Sequence, residues 1–288
     1  MKSANLMISL LGPVEISYQG KTIKLNRRVE RGILYYLVVE NRPIRREKLI
    51  DLLWPAADQI DPRALIRVAL SRLRSQLPDV VMLTTEQNYV SLNCSNCLID
   101  LVKFEESYQS LGGVLSAFPE ERALPIQIVN QIKESLDLWR GDEVFQGEDF
   151  SNYPSLQLWH QTLEKDLQSH LMYLKRKLAE HYRASGNLEL ALDEFLQLIR
   201  LNKLDKTLHL IVLDIFLKLG RLQDALEFCD DLEVIYEQEY NAPLPDDILK
   251  YCHEVQQLIY AHEEITKNEW PISSLLQVPL IGRTKEVE

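Results

Sequence analysis

The sequence predicts a mainly α protein in which a winged helix-turn-helix domain, a small β-sheet with three helices, is followed by an all-α tetratricopeptide-like array. Three observations carry this. Short β-type runs cut by Gly and Pro fill residues 6–25, a hairpin pattern occupies residues 83–92, and from about Leu101 onward only helical periodicity remains.

The first runs are Leu6-Met7-Ile8-Ser9-Leu10, Val14-Glu15-Ile16-Ser17-Tyr18 and Thr22-Ile23-Lys24-Leu25, parted by Gly12-Pro13 and Gln19-Gly20. Alternation between turn signals makes these a small antiparallel meander. A helix is expected from about Val29 to Glu40, with Ile33, Leu34 and Leu37 inward, and a second from Arg46 to Trp54. A third follows Asp61-Pro62, which supplies an N-cap and a proline at the first helical position. Leu83-Thr84-Thr85 and Tyr89-Val90-Ser91-Leu92 then form a hairpin across Glu86-Gln87-Asn88. Sheet, three helices and hairpin is the order of a winged helix-turn-helix.

In the helical part, Gly186, Leu188, Ala191 and Leu192 recur as Gly220, Leu222, Ala225 and Leu226, each offset by 34 residues. That is the tetratricopeptide period, with Gly expected to open a tight helix start and Ala to let two helices approach. Helices at about 124–139 and 154–184 would add earlier, degenerate pairs, with a loop at Gly141 to Pro154. The expected domains are 1–95 and 98–262, with 263–288 a linker rich in Pro and Ser.

At about 100° per residue, Arg63, Arg67, Ser71 and Arg74 share an arc about 80° wide on the third helix. Ile66, Leu70, Leu73 and Leu77 form a separate apolar stripe, with Ala69 beyond it and Val68 and Arg72 at the flanks. Such a helix can bury one side and offer guanidinium groups to guanine edges and phosphates in a major groove, with Val68 available to a thymine methyl.

Composition narrows the classes. The 288 residues are 46% hydrophobic and 26% charged, a globular balance, and no uncharged apolar run is long enough to span a membrane. The net charge of -11 is uneven. Residues 1–93 hold 14 basic against 9 acidic side chains, and the rest 18 against 34. A basic front is the footprint of phosphate binding, and an acidic remainder lowers non-specific affinity. A short apolar run at Leu6 to Leu11 is no signal peptide, so a reducing cytosol and four thiols are expected.

Ile8-Ser9-Leu10-Leu11-Gly12-Pro13, Arg46-Glu47-Lys48-Leu49-Ile50-Asp51-Leu52-Leu53-Trp54, Arg67-Val68-Ala69-Leu70-Ser71-Arg72-Leu73-Arg74 and Leu138-Trp139-Arg140-Gly141 resemble the antibiotic regulatory protein (SARP) family of bacterial transcriptional activators. The first part is similar to the OmpR-type winged helix, and residues from about Asp100 to Tyr260 to the bacterial transcriptional activator domain. The resemblance implies base reading by Arg67, Val68 and Ser71, and backbone contacts by Arg72 and Arg74. With Arg63 and Tyr89 these make the expected DNA site. It also implies that the loop Pro55 to Asp61, with Pro55, Asp58 and Gln59, faces RNA polymerase, and that two protomers sit head to tail on direct repeats. One departure is the wing, where Glu86-Gln87-Asn88 stand in place of the family's Arg and Gly; Asn88 is expected to take the left-handed turn position.

The last ten residues, Pro279 to Glu288, resemble the opening of the ATPase domain that follows in larger family members, so a fragment cut just before such a domain is expected. No Gly-x-x-x-x-Gly-Lys-Ser/Thr occurs, and neither cofactor nor nucleotide is expected. Cys94-Ser95-Asn96-Cys97 lacks a second ligand pair, so no metal is expected either. The six histidines and the acidic helical faces read as ordinary surface or core groups, and no nucleophile stands with a base. The alternative to a DNA-binding activator is a helical-repeat adaptor or sensor whose winged domain serves protein interaction.

Overall fold

Leu6 and Ile8 point inward and Met7 outward, the period of two that a half-buried strand requires. In the computed structural model, which describes residues 6–55, 61–78, 82–93, 97–119 and 122–268, these residues form β1 (Leu6–Ser9). It pairs antiparallel with β2 (Glu15–Tyr18), which pairs with β3 (Lys21–Thr22). Gln19 and Gly20 both take positive φ, the tight-hairpin geometry. The helices α1 (Arg28–Glu40), α2 (Arg46–Leu53) and α3 (Pro62–Gln76) follow, with the hairpin β5 (Met82–Glu86) and β6 (Tyr89–Asn93). The Asp61 carboxylate accepts from the Arg63 amide at 2.9 Å, the expected N-cap of α3.

Two short strands lie outside the sequence pattern. β4 (Ile44–Arg45) joins the wing in the order β4-β6-β5, and β7 (Cys97–Ile99) adds to the first sheet parallel to β1. The helical part holds α4 (Asp100–Ser116), α5 (Ile126–Leu136), α6 (Pro154–Ala184), α7 (Leu188–Leu201), α8 (Lys206–Leu219), α9 (Leu222–Ile235) and α10 (Asp246–Asn268). The fold is thus mainly α, a winged helix-turn-helix followed by helical pairs. No described helix is long and apolar enough to cross a membrane.

By contacts the chain divides into two compact units, Met1–Gly186 and Asn187–Glu288. The divide expected at 95–98 therefore lies inside the first unit, because two distant segments interlock there. The Asp100 carboxylate accepts from the Leu10 and Leu11 amides at 2.8–3.0 Å. The Arg140, Phe145 and Gln146 amides donate to the Leu11, Leu10 and Gly12 carbonyls at 2.8–3.0 Å. The Arg140 guanidinium reaches the Pro13 carbonyl at 2.7 Å. Gly12, at φ 113°, lies so close to Gly141 that a Cβ there would sit 2.6 Å from the Gly141 nitrogen. The loop expected from Gly141 to Pro154 is therefore a docked strap, with Val144, Phe145 and Phe150 buried.

α1 forms the centre of this unit, buried from Gly32 to Val38. Tyr35 stacks on Phe145, and Tyr36 meets Trp159 of α6. Glu148 of the strap accepts from Arg31 at 2.8 Å and from the Tyr35 hydroxyl at 2.9 Å. Burial and that neighbouring carboxylate push the Tyr35 phenol well above its ordinary pKa.

In the second unit Ala191 and Ala225 are fully buried, as the repeat requires. The repeated glycine has a different role from the expected one. Gly220 takes φ 69° as the residue that ends α8, and Gly186 takes φ 78° just past the Ser185 cap of α6, so each closes a helix rather than opening one. The linker expected from 263 also starts later, because α10 continues to Asn268. No Gly or Pro interrupts its sequence before Pro271. The four expected thiols need correction too: Cys229 and Cys252 form a disulfide, since α9 and α10 bring their Cα atoms within 5.9 Å.

Candidate nucleic-acid interface

α3 buries Ile66, Ala69, Leu70 and Leu73, with Leu77 just beyond its end, and leaves Arg63, Arg67, Val68, Ser71, Arg72 and Arg74 exposed. The apolar stripe packs against α1 and α2. The opposite face is therefore rigidly backed yet open to solvent, which is what insertion into a groove demands.

The four guanidinium groups of α3 are not equivalent. Arg67 folds back along the helix, donating to the Arg63 carbonyl at 3.1 Å with Asp61 3.9 Å away, and its side chain stays 66% exposed. Arg74 instead donates to the Leu83 carbonyl at 3.1–3.3 Å, and its Nη2 lies 3.5 Å from the Thr85 hydroxyl. That side chain braces the wing against the helix, a task the sequence pattern did not disclose. Arg72 lies on the flank, beside an apolar groove of about 440 Å³ lined by Val29, Trp54, Leu65 and Val68.

The wing turn is tighter than expected and uses a different residue. Gln87, at φ 50°, is left-handed, and Asn88 is not among the left-handed residues. The Asn88 carbonyl accepts from the Arg46 amide at 2.8 Å, which pins the start of α2 to the wing. Tyr89 is 39% exposed, and its hydroxyl accepts from Arg45 at 3.1 Å, a bond that holds the Arg45 guanidinium above its usual pKa. Glu86, directly opposite Tyr89 in the hairpin, is exposed.

Two basic residues were missed by periodicity. Arg45 and Arg46 sit at the β4–α2 junction, and Arg46 lines a cleft of about 420 Å³ with Glu47, Asp61, Arg63, Arg67 and Asn88. A signal existed in the doubled arginine at the start of α2, where two cationic side chains lie beside a helix N-terminus. Of the segment expected to face a polymerase, Pro55 is exposed, while Asp58 and Gln59 lie outside the described residues. Cys94 and residues 279–288 lie outside them as well. Among the described residues no group of His, Cys, Asp and Glu could hold a metal ion.

Two likenesses to known proteins bear on this chain. The chain is 26% identical over 142 residues to the regulatory protein AfsR of Streptomyces coelicolor, a match covering 49% of this chain and 14% of that protein. Its fold matches Mycobacterium tuberculosis EmbR, solved in complex with a low-affinity phosphopeptide, at a TM-score of 0.63 and 20% identity. That match covers 88% of this chain and 65% of EmbR. The chain thus spans a small part of one relative's length and about two thirds of the other's. No protein-family profile matches it.

Proposed function

We propose that this chain is a sequence-specific DNA-binding transcriptional activator of the antibiotic-regulatory-protein type, and not an enzyme. It seats α3 in a major groove, with Arg63, Arg67, Val68 and Ser71 toward base edges and Arg72, Arg74 and Tyr89 toward the backbone. The observation that carries this reading is the division of α3 into a buried apolar stripe and an outward face holding Arg63, Arg67 and Arg74, with Arg72 on its flank and Arg45, Arg46 and a wing beside it. Bidentate arginines favour guanine, and phosphate contacts favour salt-sensitive affinity. Likeness to a bacterial regulatory protein supports the same class.

In this reading residues 1–95 bind double-stranded promoter DNA, 98–262 hold a second protomer or a partner, and 263–288 lead onward. The loop with Pro55, Asp58 and Gln59 contacts RNA polymerase, and two copies lie head to tail on direct repeats inside the cytoplasm.

Fluorescence anisotropy tests the reading, using the duplex upstream of the protein's own gene and a scrambled duplex at about 50 and 200 mM salt. Tight, salt-sensitive binding that prefers the native duplex is expected. Equal, weak, salt-indifferent binding to both would overturn it and leave a helical-repeat adaptor.

A further inference from the structure

The disulfide of the second unit joins Cys229, midway along α9, to Cys252, nearly two turns into α10. Both residues are buried, at 4% and 5% exposure. They share a small core with Leu213 of α8, Leu232 of α9, and Tyr236, Leu244 and Ile248. α10 packs on α8 and α9, and no described element follows it. Packing of α10 on α8 and α9 keeps those side chains out of water.

The chain between the two cysteines is built as a joint. A π-helical turn at Tyr236–Tyr240 follows α9, Asn241 is left-handed at φ 50°, and Pro243 and Pro245 bracket Leu244. π-turns and prolines interrupt the regular hydrogen-bond ladder, so α10 is not rigidly continuous with α9. What ties the two is the apolar core and one covalent bond.

We propose that Cys229 and Cys252 are a reversible thiol–disulfide site that latches α10 onto α8 and α9. The reductant is a low-molecular-weight thiol. Its thiolate attacks one sulfur, the S–S bond breaks, and one cysteine leaves as a thiolate that takes up a proton. A second thiol attacks the small molecule's sulfur in the mixed disulfide, which frees the other cysteine and departs as the small-molecule disulfide. Two electrons have passed to the cysteines and two small thiols have been oxidised. Oxidation by the small-molecule disulfide runs the same steps in reverse. Because both sulfurs are buried, attack requires α10 to lift, so exchange reports the opening of the latch. Reduction removes the cross-link over a sequence separation of 23 residues and leaves α10 held by packing and the exposed Lys206–Asp247 ion pair. The inference concerns the second unit and stands apart from the DNA-binding reading.

The test uses the full chain equilibrated in glutathione mixtures from fully reduced to fully oxidised. Alkylation with mass analysis reads the thiols, and hydrogen–deuterium exchange reads the helices. Cys229 and Cys252 are expected to become alkylated together in one two-electron transition. Exchange in α10 should then rise about tenfold or more in the reduced protein, with none in α3. Cys252→Ser should exchange like the reduced protein in every mixture; if that variant does not fold, the two states of the natural chain decide alone. A pair that never forms in the oxidised mixture, one that persists in the fully reduced mixture, or equal α10 exchange in both states would overturn the latch.

Discussion

At the seam between Leu10–Pro13 and Arg140–Gln146, backbone meets backbone: amides donate to carbonyls and two glycines touch. On the outward face of α3, side chains stand in solvent, and among the described residues Arg67 is anchored by one carbonyl and a distant carboxylate. Both regions derive from short sequence motifs, yet they do different work. The seam has no room for an added atom at Gly12, whereas α3 presents exposed side chains on which little of the fold rests. A change at the seam should act on folding, and a change on α3 should act on binding.

Gly12→Ala is the strongest way to break that contrast. The substitution places a methyl group 2.6 Å from the Gly141 nitrogen and 2.8 Å from the Arg140 carbonyl carbon, at a φ of 113° that L residues rarely adopt. Backbone cannot yield as a side-chain tip can, so stability should fall by about 3–5 kcal/mol in urea denaturation. DNA affinity of the molecules that remain folded should not change. Gly20→Ala is the control, since Gly20 also has positive φ but nothing within 4 Å. It should cost only about 1 kcal/mol. Equal losses at both glycines would mean that the seam is not the tight contact described above.

Arg67→Ala approaches the contrast from the other side. It should cost about 1–3 kcal/mol of affinity for the preferred duplex, relax the preference at one base pair, and leave the melting temperature unchanged. Arg72→Ala should weaken all duplexes alike and lower the salt slope by about one. A fall in melting temperature with Arg67→Ala would show that the arginine supports the fold and is no reader.

These two regions also differ in how far the sequence disclosed them. α3 was legible because burial imposes a period: Ile66, Leu70 and Leu73 are inward and the arginines outward in the register that helical spacing requires. The Asp61 cap and Pro62 marked its start. The seam was not legible, because its contacts join residues about 130 apart through main-chain groups that every residue carries. β4 and β7, at two and three residues, are too short to show a period. The disulfide likewise depends on how α9 and α10 pack, which spacing along the chain does not encode. The left-handed Gln87 escaped notice because the expectation followed residue preference, which favours Asn, and the turn instead uses the Asn88 carbonyl to hold Arg46.

Arg74 belongs to both regions and sharpens the contrast. It projects from α3, but its guanidinium is spent on the Leu83 carbonyl. Arg74→Ala should therefore lower stability by about 1 kcal/mol and also reduce the salt slope by about one. Arg74→Lys separates the two effects, because it retains the charge and loses the forked donor that spans helix and wing. The lysine variant should recover the salt slope and not the stability.

Glu86→Lys has the smallest expected effect and tests where the reading face ends. Glu86 is exposed on the wing opposite Tyr89, whose hydroxyl is held by Arg45, so its carboxylate stands on an edge that is otherwise basic and aromatic. It contributes no buried contact, and its replacement should leave stability within about 0.5 kcal/mol of the parent. If the wing lies against a phosphate backbone, reversing this charge should tighten binding to every duplex equally and steepen the salt slope by about one, with the gain fading as salt is raised. An unchanged slope would confine the interface to α3 and the Arg45–Arg46 junction. The wing would then belong with the seam, as a brace that Arg74 uses to hold the helix in place.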